Sequence, residues 1–156
     1  MRSSLRLRAF VVLGVFLVIL AGSAPLQAQG GWRLSGMGGE SLSEGDLGQG
    51  ATVVVVWASW SPKSRDIVER VNQIAGRWAG KARVVTVSFQ EEKGAVAGFL
   101  AGKGLSAPVF LDGDGAFSRK YSIATLPGLL VLKDGQVAYR GKLPEDPDAV
   151  IADLVR

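Results

Sequence analysis

A run of β-branched residues that leads directly into a helical pattern constrains the fold more than any other feature of this sequence. Residues 52–57 read Thr-Val-Val-Val-Val-Trp, which is typical of a strand buried on both faces of a central sheet. An amphipathic helix is predicted over residues 62–79, with Ser61 at its N-cap and a proline in its first turn. The same order returns in a strand over residues 83–89 and a short helix over 93–102. Strands that alternate with helices require right-handed crossovers, so the sequence predicts an α/β fold with parallel strand pairing.

The second half of the chain changes to an antiparallel pattern. The Asp134-Gly135 pair lies between two apolar runs and predicts a tight hairpin turn. Asp146 and Pro147 predict the start of the last helix, with an acidic cap and proline in the first turn. The predicted elements are an extended segment over 107–111, a turn over 112–115, a short helix over 116–121, strands over 128–132 and 136–140, and a helix from 146. We therefore expect a central mixed β-sheet of four main strands flanked by helices on both faces, with an N-terminal hairpin of residues 32–34 and 41–43 as a candidate addition.

The first 28 residues have the pattern of an export signal. A basic segment with Arg2, Arg6 and Arg8 precedes an apolar stretch over residues 9–20, and small residues follow up to Ala28. This stretch is shorter than the roughly 20 residues that a membrane-spanning helix needs, so cleavage after Ala28 is predicted; a retained membrane anchor is the alternative. We expect a periplasmic or other extracytoplasmic protein, anchored to the membrane on that side if the signal is kept. The sequence divides into a signal peptide (1–28), a glycine-rich N-terminal hairpin or linker (29–50) and one domain (51–156).

The net charge of the chain comes mostly from this N-terminal segment. The sequence has 18 basic and 14 acidic residues, and without the three arginines of the signal the balance is 15 to 14. A nearly neutral domain with no basic run and only dispersed aromatic residues gives no support to nucleic-acid binding.

The chain contains neither cysteine nor histidine. Without a thiolate there is no disulfide exchange, and without imidazole there is no Ser-His-Asp triad and no histidine metal site. We therefore expect no metal, no cofactor and no thiol chemistry. Carboxylates, lysines, tyrosines and hydroxyls remain as reactive groups, so enzymatic activity stays open but is the less expected outcome.

Two acidic segments carry weaker signals. The sequence Asp-Gly-Asp-Gly over residues 112–115 resembles the start of a calcium loop, but Ile123 stands at the twelfth position, where a bidentate glutamate is required, so a turn is predicted. Glu91 and Glu92 follow the second strand at the edge where sites in α/β folds gather. We expect these two carboxylates to form a solvated helix start.

Three short motifs stand out in this order of elements: Trp57-Ala58-Ser59-Trp60, the pair Pro62 and Arg65, and Thr125-Leu126-Pro127. Together they resemble the thioredoxin superfamily, most closely its exported TlpA/ResA branch. The first matches the aromatic lead-in to the family's redox motif, the second matches the proline of that motif and the basic residue after its second cysteine, and the third matches the loop that ends in a cis-proline. The resemblance runs from about Leu34 to Leu154 and implies a thioredoxin-like fold.

The chain departs from this family at the two positions that perform its chemistry. Ser61 and Ser64 stand where the attacking and resolving cysteines would be, giving a Ser-x-x-Ser motif with no predicted catalytic residue. Our main interpretation is that Ser61 caps the helix and Ser64 fills the space of a thiol. The alternatives are an engineered double cysteine-to-serine variant and an unrecognised role for the hydroxyls.

The family resemblance also implies a peptide-docking groove. In the family, the backbone before the cis-proline pairs with an extended substrate strand, which is a form of β-augmentation. The groove residues implied here are Trp60, Ser61, Pro62, Thr125, Leu126 and Pro127, and we expect Trp60 to be exposed. The alternative is that Pro127 only shapes the turn into the hairpin.

The sequence thus supports three hypotheses for function. The first is a redox-inactive module that binds an extended segment of another envelope protein. The second is a member of the thiol-disulfide oxidoreductase lineage that is classified by descent or carries cysteine-to-serine replacements. The third is a purely structural subunit, tethered by an uncleaved N-terminus.

Overall fold

The computed structural model of the protein describes residues 31–155. The predicted signal peptide, its cleavage point and its alternative as an anchor lie outside these residues. The strands are β1 (Arg33–Gly36), β2 (Ser41–Ser43), β3 (Ala51–Trp57), β4 (Arg83–Phe89), β5 (Val109–Asp112), β6 (Gly128–Lys133) and β7 (Gln136–Lys142). The α-helices are α1 (Ile67–Trp78), α2 (Lys93–Leu100), α3 (Ala116–Lys120) and α4 (Pro147–Leu154), and single 3-10 turns cover Glu44–Leu47 and Pro62–Ser64.

The strands form one mixed sheet in the order β2-β1-β5-β4-β3-β6-β7. Strands β3, β4 and β5 are parallel, and the remaining neighbours pair antiparallel. Side chains of β3 alternate between two cores: Val53 and Val55 pack with α1, α2 and α4, while Val54 and Val56 pack with α3 on the other face. The predicted α/β fold, with a mixed sheet flanked by helices on both faces, is therefore confirmed.

Within residues 31–155 the sheet has seven strands: the four main ones that the sequence predicted, β5, and the two strands of the N-terminal hairpin that the sequence offered as a candidate addition. The additional pairing involves β5, which lies parallel to β4 on one side and accepts β1 on the other, with Ser35 opposite Leu111. Residues 33–43 form an antiparallel hairpin that belongs to the sheet. Its first strand buries Leu34 against the core that holds Phe110, and this long-range contact leaves no local sequence pattern.

The helix predicted from residue 62 begins later than expected. Residues 62–64 form a 3-10 turn in which the Ser64 N–H donates to the Ser61 carbonyl at 2.9 Å, and the regular α-helix starts at Ile67. The conformation of Asp66 (φ −97°, ψ 12°) separates the two segments. The hairpin turn agrees with its prediction, since Asp134 and Gly135 both have positive φ (49° and 77°), as a type I′ turn requires.

The acidic segment at residues 112–115 holds α3 in place. Asp112 is fully buried, and its two carboxylate oxygens accept from the backbone N–H groups of Phe117 and Ser118, both at 3.0 Å. The Asp114 carboxylate accepts from Ala116 N–H at 2.9 Å. These acidic oxygens therefore serve the turn and the helix start, in agreement with the prediction of a turn.

We expect Asp112→Asn to lower the free energy of unfolding by about 2 kcal/mol, because an amide NH2 would face a backbone N–H in place of a charged acceptor. Urea unfolding followed by circular dichroism measures the change. Asp114→Asn is the matched control, because its amide oxygen can still accept the single bond from Ala116. Equal stability of the two variants would contradict this account of α3.

Candidate functional site

The loop after β3 and the loop before β6 meet beside the carboxyl ends of the parallel strands, where α/β sheets commonly bind ligands. The Leu126–Pro127 peptide bond is cis, as the sequence predicted. Between the two loops lies a cleft of about 560 Å³, which is within the usual size range of ligand pockets. We call it the site cleft; its lining residues are Trp60, Ser61, Pro62, Lys63, Phe89, Ser118, Ile123, Ala124, Thr125 and Leu126.

Five of the six predicted groove residues line the site cleft. Pro127, the sixth, is buried behind it and does not line it. The lining residues absent from the predicted set are Lys63, Phe89, Ser118, Ile123 and Ala124, of which Lys63 and Ala124 are chain neighbours of predicted ones. Phe89 could have been found from its place at the end of β4, but Ser118 and Ile123 reach the cleft only through the packing of α3 and the segment after it.

The side chain of Trp60 is 60% exposed, as the sequence predicted. Val137 is the other large hydrophobic side chain exposed within residues 31–155, and it lies on the edge strand β7. An indole that stays in contact with water beside an apolar cleft is unfavourable in the free protein, because its apolar surface remains hydrated. Exposed apolar surfaces of this kind mark binding sites.

The two motif serines differ in what they contact. Ser61 occupies the N-cap position, with φ −80° and ψ 120°, but its hydroxyl makes no capping hydrogen bond, so the predicted capping role is wrong. The backbone carbonyl of Ser61 accepts the bond instead, from the N–H of Ser64. Ser64 is 1% exposed, and within the described part of the chain its hydroxyl has no hydrogen-bond partner. A buried hydroxyl without a partner agrees with Ser64 simply occupying the volume of a thiol.

The backbone before Pro127 is free to pair. Within residues 31–155, the N–H and C=O groups of Thr125 and Leu126 make no hydrogen bond. Both residues border the site cleft. A short segment of backbone with open donors and acceptors next to an apolar cleft is the arrangement that an added β-strand requires.

Glu91 corrects an expectation from the sequence. Glu92 is exposed, as expected for a solvated helix start, but Glu91 is only 8% exposed. Its carboxylate accepts hydrogen bonds from the N–H of Ser59 (2.9 Å), the hydroxyl of Ser59 and the hydroxyl of Ser88 (2.7 Å). Hydrogen bonds to Ser59, in the loop after β3, and to Ser88, in β4, keep the Glu91 carboxylate buried. Two adjacent glutamates in a sequence do not show that one of them is buried and the other exposed.

Few charges lie at the site cleft. Lys63 is the charged side chain among the residues that line it. No cluster of three potential metal-ligating side chains occurs within the part of the chain that the structure describes. The same part contains no helix long and apolar enough to cross a bilayer.

The family model described as Redoxin matches residues 22–155, so the protein belongs to the Redoxin family. Comparison with curated protein sequences gives no match. The similar solved structures include a protein from Chlorobium tepidum described as a thiol:disulfide interchange protein, DsbE, with 24% identity over 81% of this chain and 92% of that chain and a TM-score of 0.69.

Two further structural neighbours have names that bear on localisation and chemistry. They are the exposed lipoprotein thioredoxin Etrx1 of Streptococcus pneumoniae (20% identity, 80% of this chain, 98% of that chain, TM-score 0.68) and a secreted disulfide oxidoreductase of Mycobacterium tuberculosis (16%, 78%, 92%, 0.65). At these identities the likeness establishes a thioredoxin-like fold. The predicted thioredoxin-like fold is confirmed, and the chain contains no cysteine.

Replacement of Ser64 tests its role. We expect Ser64→Ala to raise the free energy of unfolding by about 1 kcal/mol, because it removes a buried hydroxyl that has no partner. Urea unfolding gives the value. Ser61→Ala serves as the control and should leave stability nearly unchanged, since no cap is lost. A loss of stability in Ser64→Ala would reveal a hydrogen bond to that hydroxyl and contradict the volume-filling role.

Proposed function

We propose that the protein is an exported, redox-inactive thioredoxin-like domain that binds an extended segment of another envelope protein at the site cleft. The observation that carries this proposal is the unpaired backbone of Thr125 and Leu126 beside the apolar cleft. An extended segment would pair with this backbone as an added strand and place one side chain in the cleft.

The chemistry of the cleft defines the segment. Its walls include Trp60, Phe89 and Leu126, with Lys63 as the charged group at the rim. A large apolar side chain, above all an aromatic one, would cover the exposed indole and remove apolar surface from water. Backbone pairing would supply affinity that depends little on sequence, while the cleft would select the apolar residue.

The two serines support binding without electron transfer. An alcohol at Ser61 stays protonated at neutral pH and forms no disulfide with a partner, so any complex at this site is non-covalent and reversible. The chain contains no histidine that could activate Ser61 as a nucleophile.

The extracytoplasmic location rests on two supports. Residues 1–28 have the composition of an export signal. Two structural neighbours are described as an exposed lipoprotein and a secreted protein. A retained N-terminal segment would give a form anchored to the membrane that faces the same compartment.

The second candidate is that the protein belongs to the thiol-disulfide oxidoreductase lineage and is related to it by descent. It is favoured by the cis-proline beside the motif and by the neighbours named for that activity. In this account the cleft is inherited, and the serines, natural or introduced, have removed the electron-transfer step.

Peptide binding is tested with synthetic peptides of serine and threonine that carry one central phenylalanine. We expect the phenylalanine peptide to shift the NMR signals of the Trp60 indole N–H and the Leu126 amide. Since burial of a phenylalanine contributes roughly 2 kcal/mol, a matched peptide with central serine should bind more than about tenfold more weakly. N-methylation of the peptide backbone at alternate residues should also weaken binding, because it removes donors to the added strand.

Matched variants assign the binding to the site cleft. Trp60→Ala should weaken binding of the phenylalanine peptide. Val137→Ala, which truncates the other large hydrophobic side chain exposed within residues 31–155, should leave this binding unchanged. Equal binding of the phenylalanine and serine peptides, or shifts confined to other surfaces, would rule out a groove of this kind.

Redox inactivity is tested with insulin reduction. The wild-type protein should show no activity above the background of dithiothreitol, and Ser61→Cys combined with Ser64→Cys should gain it, because a thiolate at a helix N-terminus is stabilised there. The single variants are the controls: Ser61→Cys should form a mixed disulfide with insulin without turnover, and Ser64→Cys, at a position that is 1% exposed, should form none. Insulin reduction by the wild-type chain would overturn the proposal, and an inactive but folded double variant would count against inheritance of a working site.

A further inference from the structure

Glu91 is a buried carboxylate that the proposed function does not use. It is 8% exposed, and within residues 31–155 no salt bridge to it is found. Burial of an uncompensated carboxylate is costly unless hydrogen bonds replace the lost water. Here three donors from Ser59 and Ser88 do so.

The three donors come from the places where two central strands end. Ser88 belongs to β4 and lies opposite Trp57, the last residue of β3, and Ser59 lies two residues beyond that point. The carboxylate thus joins the end of β4 to the loop that leaves β3.

This loop carries the exposed wall of the site cleft. Trp60 follows Ser59 directly, and the N–H of Ser61 donates to the carbonyl of Ala58 at 3.1 Å, which closes a tight turn around Trp60. Glu91 holds one side of this turn through both the N–H and the hydroxyl of Ser59. Trp60 itself is 60% exposed, so packing of its own ring restrains it little.

We propose that Glu91 is a positioning residue for peptide binding: its carboxylate fixes the Ala58–Ser61 turn and thereby holds the Trp60 indole where it forms the wall of the site cleft. This inference rests on the proposed function. A fixed wall raises affinity because the binding-competent arrangement is populated before the peptide arrives.

The test uses the exported protein labelled with fluorotryptophan, with the Trp60 signal assigned from a Trp60→Phe variant. Glu91→Leu removes all three acceptor contacts. We expect a broadened or shifted Trp60 signal and, where the competent turn falls to roughly a tenth of the population, about tenfold weaker binding of the phenylalanine peptide. Glu91→Gln should restore both readouts, because its amide oxygen can accept from Ser59 N–H and Ser88, while its NH2 can donate to the Ser59 hydroxyl.

Two additional variants separate positioning from stability. Ser59→Ala removes one of the three bonds and should give an intermediate effect even if Glu91→Leu does not fold. Asn72→Ala is the matched control: it also removes three side-chain hydrogen bonds, to Gly104 and Ser106, in a loop away from the cleft. It should lower stability and leave both the Trp60 signal and peptide binding unchanged.

The outcomes distinguish this inference from the proposed function. If the wild-type protein does not bind the phenylalanine peptide, the proposed function fails, and with it the role of Glu91 in binding, while the Trp60 signal still reports whether Glu91 fixes the turn. If the wild-type protein binds and folded Glu91→Leu and Ser59→Ala keep the wild-type signal and affinity, the positioning role is overturned. An equal loss of affinity in Asn72→Ala would overturn it as well, because the effect would then follow general stability.

Discussion

The burial of β3 from Thr52 to Trp57 is the constraint on which the rest of the structure depends. The strand pairs with β4 on one side and β6 on the other, and its side chains from Val53 to Trp57 have no exposed surface. Both faces need cover, so helices must pack above and below it, and its two ends become the places where the chain can reach solvent. The loop that carries Trp60 and Ser61 begins at one of these ends.

Two kinds of interaction hold the residues around the site cleft in place. Below it lies a sheet held by regular backbone pairing and close-packed valines. Around it the chain is held by individual polar contacts, such as those of Glu91 and Asp112, while the backbone of Thr125 and Leu126 stays unpaired. The rigid sheet allows this exposed backbone to keep its place without partners of its own. This arrangement of backbone and side chains does not depend on sulfur, since the chain contains no cysteine.

The sequence predicted much of the fold because the strongest elements have local signals. β3 and β4 are rich in β-branched residues, which is typical of buried strands. The Asp134-Gly135 pair is typical of a type I′ hairpin turn, because both positions of that turn need positive φ. The pairing of β1 with β5 was not predictable, since it depends on contacts between residues far apart in the chain. The helix boundary was misplaced because proline and serine favour a helix start without determining whether the first turn is 3-10 or α.

The sequence predicted only those residues of the candidate site that belong to the motifs of the thioredoxin superfamily. Trp60 and the cis bond before Pro127 were expected from the sequence. The inward turn of Glu91 depends on hydroxyl donors at Ser59 and Ser88 that only the folded sheet brings together. Neighbouring glutamates look alike in a sequence, although one is buried and the other exposed.

The direction of β1 determines how the molecule can be attached to anything else. Because β1 runs antiparallel to β5, Arg33 lies at the sheet edge that bears the carboxyl ends of the parallel strands. Val155, the last described residue, lies at the far edge, where Lys133 pairs with Ala51 and the Lys133 ammonium donates to the carbonyl of Val155. Attachment to a surface through the segment before Arg33 would turn the site cleft towards that surface. Attachment of a bead, dye or fusion partner after Val155 would leave the site cleft open to solvent.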